Sequence, residues 1–140
     1  MEICKIDDLV AFQSELLELL SYAASKAEEE YAKYKKAANK KLYVCRMDGA
    51  IAGCIGIEHS AGRICEIKHI AVSPENRGQQ IGSQMIGFIC RKYGFSSVFA
   101  ETDRDAVGFY RKNAFEIMSL GEKYPGRERF LCRKESKESQ

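Results

Sequence analysis

The sequence predicts an α/β (α+β) fold: a central mixed, mostly antiparallel sheet of about six to seven strands with about four helices. Three observations predict it. Three apolar, strand-like runs in the middle of the chain follow one another across tight turns. The last of them passes through the polar, glycine-bearing stretch SPENRGQQIGS into a segment of helical spacing and then another strand-like run. A right-handed crossover of that kind lays two strands parallel. Finally, FEIMSLGE and RERFLCRK read as a terminal hairpin joined by KYPG.

The elements follow in order. Glu2 to Ile6 reads as a short first strand, and Leu9, Phe12, Leu16, Leu17 and Leu20 then recur at helical spacing. Ser25-Lys26-Ala27-Glu28 fits a capping box, so a second helix is expected from there to about Ala38, with Tyr31 and Tyr34 on one face. The strands KLYVCRM, AIAGCIGIEH and RICEIKHIAV form an antiparallel meander over the turns Asp48-Gly49 and Ala61-Gly62. A third helix is expected from Gly82 to Tyr93, stopped by Gly94. The strand SVFAET, a fourth helix over about Ala106 to Asn113 and the terminal hairpin complete the chain.

With 140 residues, 45% hydrophobic and 30% charged, the chain reads as one compact domain over 1–134 with a polar tail over 135–140. A net charge of +2 does not suit a surface built to neutralise phosphates along a nucleic acid, so no nucleic-acid partner is expected. The opening MEICKIDDLV has no cationic segment followed by an apolar run, and no apolar stretch reaches membrane-spanning length. The expectation is a cytoplasmic protein without a membrane partner, as monomer or homodimer. Cys4, Cys45, Cys54, Cys65, Cys90 and Cys132 stand singly in apolar runs and form no CxxC pair, which reads as buried reduced thiols. The run KAEEEYAKYKKAANKK reads as a solvated helix face.

The stretch from His69 to Ile86 carries the chemistry. A strand that gives way to a glycine-bearing loop and a helix start leaves backbone N–H groups pointing outward at the positive end of the helix dipole, which is an anion cradle. No Gly-Lys-Ser/Thr follows the glycines, so a nucleotide P-loop is disfavoured.

The segment IAVSPENRGQQIG, followed by AETDRDAVGFYRKNAF, resembles the GNAT superfamily of acetyl-CoA-dependent N-acetyltransferases, and the element order agrees over nearly the whole chain. Those proteins carry R/Q-x-x-G-x-G/A at the start of the third helix, matched here by Arg77-Gly78-Gln79-Gln80-Ile81-Gly82 with Ser83 after it. The resemblance implies acetyl-CoA as cosubstrate, its pyrophosphate held by backbone N–H groups of this loop. Gly78 and Gly82 let the chain approach, Arg77 adds charge, and Ile81 anchors the loop inward. Gln80 stands where the family has its first motif glycine, and pays conformationally if that position needs a positive φ.

The resemblance further implies that the fourth and fifth strands splay, that the backbone of Ile70, Ala71 and Val72 pairs with the pantetheine arm, and that the Val72 N–H polarises the thioester carbonyl. Tyr110 matches the family tyrosine that protonates the departing thiolate. Glu66 matches a glutamate that serves some members as general base, and is placed by alternation on the face of Ile70 and Val72. Glu101 is the rival base, while other relatives use ordered water. Asp103 stands seven residues before Tyr110, where many relatives have a coenzyme-contacting Asn; with Asp105 it reads as a helix cap, main-chain contacts to coenzyme A remaining open.

By alternation His69 falls on the face opposite Glu66 and reads as structural. Neither His59 nor His69 completes a ligand pattern, and no metal is expected. The functional expectation is transfer of an acetyl group to a primary amine, of a small molecule or a peptide, by direct attack in a ternary complex. A noncatalytic acetyl-CoA sensor or interaction module is the alternative. An RNA-directed transferase is a third reading, with Lys33, Lys35, Lys36, Lys40 and Lys41 as its faint basic face.

Overall fold

The computed structural model describes residues 2–5 and 13–135. Along the chain run β1 (Glu2–Lys5), α1 (Gln13–Leu20), α2 (Ala27–Lys36), β2 (Lys40–Met47), β3 (Ala50–Ser60) and β4 (Ile64–Val72). A short 3-10 turn (Pro74–Asn76) leads to α3 (Ile81–Tyr93), β5 (Ser97–Asp103), α4 (Val107–Lys112), β6 (Glu116–Tyr124) and β7 (Arg127–Glu135). Leu9 and Phe12, expected on the first helix, lie outside the described residues, as does Ile6. The polar tail was expected to begin at Glu135, but that residue closes β7, and its carboxylate accepts from Ser97 Oγ at 3.2 Å.

The strands form one sheet in the order β1-β2-β3-β4-β5-β7-β6. Every neighbouring pair is antiparallel except β4 with β5. The last strand inserts between β5 and β6, so the terminal hairpin joins the sheet through its second strand. Asp48 and Gly49 both take positive φ (53° and 81°), as a two-residue hairpin turn of primed type requires. The next turn puts Gly62 and Arg63 at positive φ, which moves Arg63 out of the strand where it was expected.

Helices cover both faces. Leu16, Leu19 and Leu20 of α1 and Tyr31 and Tyr34 of α2 bury against Leu42, Val44, Cys54 and Ala71. On the opposite face Ile81, Met85, Ile86 and Ile89 of α3 and Val107 and Tyr110 of α4 pack with Cys65, Ile67, Val98, Ala100 and Cys132. Gly94 ends α3 in the left-handed region, its N–H bonded to the Cys90 carbonyl, as expected for a glycine C-cap.

The expected capping box on α2 is not formed. Lys26 is the N-cap and no side chain caps the helix. The helix starts one residue later than the box requires, so Ser25 precedes the cap and Glu28 sits at the second helical position, where it cannot reach back. At the other end Ala37 is already extended, stopping α2 at Lys36.

Candidate active site

The parallel pair that defines the site is short. β4 and β5 pair only through Ile64↔Ser97, Cys65↔Val98 and Glu66↔Phe99. Beyond that point β4 stays with β3 as far as Val72, and β5 stays with β7 as far as Asp103. Two parallel strands therefore diverge toward their C-terminal ends, and the β5-facing edge of 67–72 has no strand beside it among the described residues. This is the splay that the sequence led us to expect, and an extended ligand arm can add to such an edge as a strand would.

A β-bulge changes the side-chain faces within β4. The register with β3 shifts between Gly56 and Ile57, so that Ile67 opposes Ile57 and His69 opposes Gly56, leaving Lys68 as the extra residue. Before the bulge Cys65 and Ile67 face the α3/α4 core; after it Ile70 and Val72 do, while Ala71 joins the α1/α2 core. Glu66 therefore shares its face with His69 and Ala71, not with Ile70 and Val72. The expectation from strict alternation is corrected on both counts, because the inserted residue inverts the phase of everything that follows it.

The loop into α3 is built on left-handed backbone. Gly78 has φ 84° and Gln80, the N-cap of α3, has φ 61° and ψ 24° with no capping side-chain bond. The position where a glycine was missed thus does adopt the conformation that favours glycine. Ile81 is buried, as expected of an anchor. Gly82 serves helix packing: a β-carbon there would lie 2.8 Å from the Phe109 ring and 3.8 Å from Ile70 Cδ1. The first turn of α3, Ile70 of β4 and Phe109 of α4 thereby converge. Ser73 donates its N–H to the Ala52 carbonyl at 2.8 Å and fixes the loop's start. Arg77 is partly committed, donating through Nε to the Val72 carbonyl at 3.1 Å and lying over the Tyr22 ring. Gln79 is exposed and Ser83 half-buried at the helix start.

Tyr110 is 4% exposed, with Phe109 and Phe115 edge-on to its ring. Burial, the larger influence, and the nearby Cys132 raise its phenol well above the ordinary value of 10.0. The hydroxyl is therefore protonated at neutral pH. Among the described residues no side chain hydrogen-bonds to it.

The two carboxylates proposed as base stand apart from each other. Glu66 is half-buried with Lys68 Nζ at 3.5 Å. On β5, Val98 and Ala100 face the α3/α4 core, so alternation turns Glu101 and Asp103 to the opposite face. There Glu101 accepts from Arg129 Nε at 3.2 Å. Both residues line a cleft of about 690 Å³ between the end of β5, the segment before α4 and the β6–β7 turn. Asp103 Oδ1 accepts the Ala106 N–H at 3.0 Å and so holds the turn before α4, but the N-cap is Ala106 and no side chain caps the helix, so neither Asp103 nor Asp105 is the helix cap expected of them. Asp105 is exposed on the cleft wall.

His69 is engaged, in line with a structural reading. Its Nδ1 lies 2.6 Å from Tyr34 Oη, and Glu30 Oε1 is 3.7 Å from its Nε2. Burial holds the imidazole below 6.5 despite Glu30, and burial raises the Tyr34 phenol far above 10.0, so the phenol donates to a neutral ring. The contact ties α2 to the bulge of β4. Sequence reasoning missed it because the partner residue is 35 positions away. Gly56 in β3 makes it fit, since a β-carbon there would overlap the Tyr34 hydroxyl.

Cys45, Cys54, Cys65 and Cys132 are buried, and Cys4 and Cys90 half-buried, in keeping with core thiols. Burial pushes Cys54 and Cys65 up to about 12, away from nucleophilic thiolate chemistry. Among the described residues no group of three His, Cys, Asp or Glu converges as a metal site, and no helix is long and apolar enough to cross a membrane.

Comparison with known proteins agrees with this geometry. Residues 38–117 match the family described as Acetyltransferase (GNAT) domain. Among solved structures, an aminoglycoside 6'-N-acetyltransferase complexed with coenzyme A superposes with TM-score 0.82 at 15% identity, covering 96% of this chain and 97% of that one. A GNAT family acetyltransferase from Elizabethkingia anophelis with acetyl-CoA bound gives TM-score 0.75 at 20% identity, covering 96% and 97%. The ribosomal-protein-S18-alanine N-acetyltransferase from Escherichia coli gives 0.77 at 11% identity, covering 96% and 92%. At these identities the likeness is one of fold.

Proposed function

This chain belongs to the GNAT acetyltransferase family, and from that premise we propose that it moves an acetyl group from acetyl-CoA to a primary amine by direct attack in a ternary complex. The observation that carries the reading is the parting of β4 from β5 after Glu66↔Phe99, with the left-handed loop of Gly78 and Gln80 at one end of the gap. Acetyl-CoA fits these residues, because its pantetheine arm needs an unpaired strand edge and its pyrophosphate needs backbone donors at a helix start. It supplies an activated acetyl thioester; the chain supplies position, donors and a proton.

In this reading Ile70, Ala71 and Val72 offer backbone groups to the arm, and the Val72 N–H donates to the carbonyl oxygen as negative charge builds on it. The N–H groups from Gly78 to Ser83 receive the pyrophosphate, Gln79 and Gln80 through backbone alone, with Ile81 and Gly82 setting how closely the helix start approaches. Arg77 contributes charge only to the extent that it leaves the Val72 carbonyl. Tyr110 gives its proton to the departing sulfur as negative charge develops there. The amine's proton leaves on the opposite face of the sheet, where Glu66 and Glu101 both stand. Glu101 borders the cleft, which makes it the better placed of the two, directly or through water. Asp103 holds the turn into α4 and so positions Tyr110. The protein acts in the cytoplasm.

The test is CoA release, followed with a thiol reagent across an amine panel, for wild type and Tyr110→Phe. Amine-dependent release that falls at least tenfold in kcat on Tyr110→Phe, with acetyl-CoA binding retained by calorimetry, supports the transferase. Acetyl-CoA binding without amine-dependent release, indifferent to Tyr110→Phe, supports the sensor.

A further inference from the structure

We propose that the acceptor is an amine that also carries a carboxylate, an amino-acid-like zwitterion, and that Arg127 reads the carboxylate. The inference rests on the transferase reading above and names its substrate class. β4 and β5 run parallel, so the cleft at the end of β5 opens at the same end of the sheet as Val72. Its volume of about 690 Å³ suits a small molecule.

Most charges on its wall are already matched. Arg129 Nε donates to Glu101 at 3.2 Å, Arg104 lies 3.7 Å from Glu128, and Asp103 holds the Ala106 N–H. Arg127 and Asp105 also line the cleft, and among the described residues neither makes an ion pair or a side-chain hydrogen bond. One cation and one anion are left to the ligand. A polyamine or a polycationic drug would find the carboxylates of Asp103 and Asp105 but would leave the Arg127 guanidinium unanswered and set a further ammonium against it. An uncharged amine would leave the Arg127 guanidinium unanswered. A carboxylate is matched by that guanidinium in a bidentate geometry, while the ammonium of the same molecule approaches the acidic side of the cleft. Tyr124, 66% exposed at the rim, gives the carbon skeleton an aromatic wall.

The experiment compares amino acids of increasing chain length, each beside its own carboxamide, as acceptors in the CoA-release assay, with rates corrected for the fraction of neutral amine. Wild type is expected to prefer the acid over the amide by about tenfold or more in kcat/KM. Arg127→Gln is expected to bring that ratio near one, and Arg127→Lys to restore part of it, with acetyl-CoA affinity by calorimetry confirming an intact fold. Equal turnover of acids and amides, a preference that survives Arg127→Gln, or faster turnover of diamines than of every amino acid overturns the inference while leaving the transferase standing. No amine-dependent release from any compound overturns the transferase reading and this inference with it.

Discussion

Gln80 offers the sharpest test of how the loop is built. It holds φ 61° and ψ 24° at the N-cap of α3 and makes no capping bond, so its side chain does nothing there that a glycine would forfeit. A non-glycine residue in the left-handed region is strained by about 1–2 kcal/mol. Glycine removes that strain but frees the unfolded chain, which returns about 0.4–1 kcal/mol. Gln80→Gly should therefore stabilise the protein by about 0.5–1 kcal/mol, a rise in Tm of roughly 2–4 °C for a domain of this size. Urea denaturation should show a higher midpoint with an unchanged slope. Gln80→Ala keeps the strain and should move stability by no more than about 0.5 kcal/mol. A lower midpoint for Gln80→Gly, or the same midpoint for both variants, would refute the reasoning.

Gly82→Ala places a methyl 2.8 Å from the Phe109 ring, whose neighbour in the chain is Tyr110; it should destabilise by about 1–3 kcal/mol and lower kcat further than Gly78→Ala, measured by CoA release. Gly56→Ala drives its methyl into the Tyr34 hydroxyl and breaks the bond to His69. It should destabilise by about 2–4 kcal/mol, and a double-mutant cycle with Tyr34→Ala should show the two losses to be strongly non-additive. His69 is held below 6.5 mainly by burial, so the unfolded chain binds its proton first as pH falls. Stability should thus be full above about pH 6.5 and decline below it until the folded-state pKa is passed. Urea midpoints against pH for wild type and His69→Gln check this, the variant showing the shallower decline.

Much of the fold was legible because local chemistry and global architecture agree. Asp48-Gly49 names its turn by the positive φ it needs, Gly94 marks the end of α3, and the crossover from β4 to β5 follows from handedness alone. What escaped the sequence depends on register or on distance along the chain. The bulge at Lys68 leaves no compositional trace in ICEIKHIAV, yet it inverts the faces after it and turns Glu66 and His69 into neighbours on one side. The insertion of β7 between β5 and β6 is a matter of pairing, invisible to patterns within either strand. The capping motif at Ser25 failed because the helix begins at Ala27, a shift of one residue. The site loop was readable in outline, and Gln80 itself shows that a motif glycine can be replaced without its backbone conformation being abandoned.

The central claim is that the unpaired edge of β4 receives acetyl-CoA. Amide hydrogen exchange with and without acetyl-CoA measures it directly. The account predicts added protection confined to 67–72 and to the loop and helix start at 77–83, with β1 and β2 unchanged. Protection found only outside these two stretches, or an edge of β4 that exchanges as before while acetyl-CoA is bound, would contradict it.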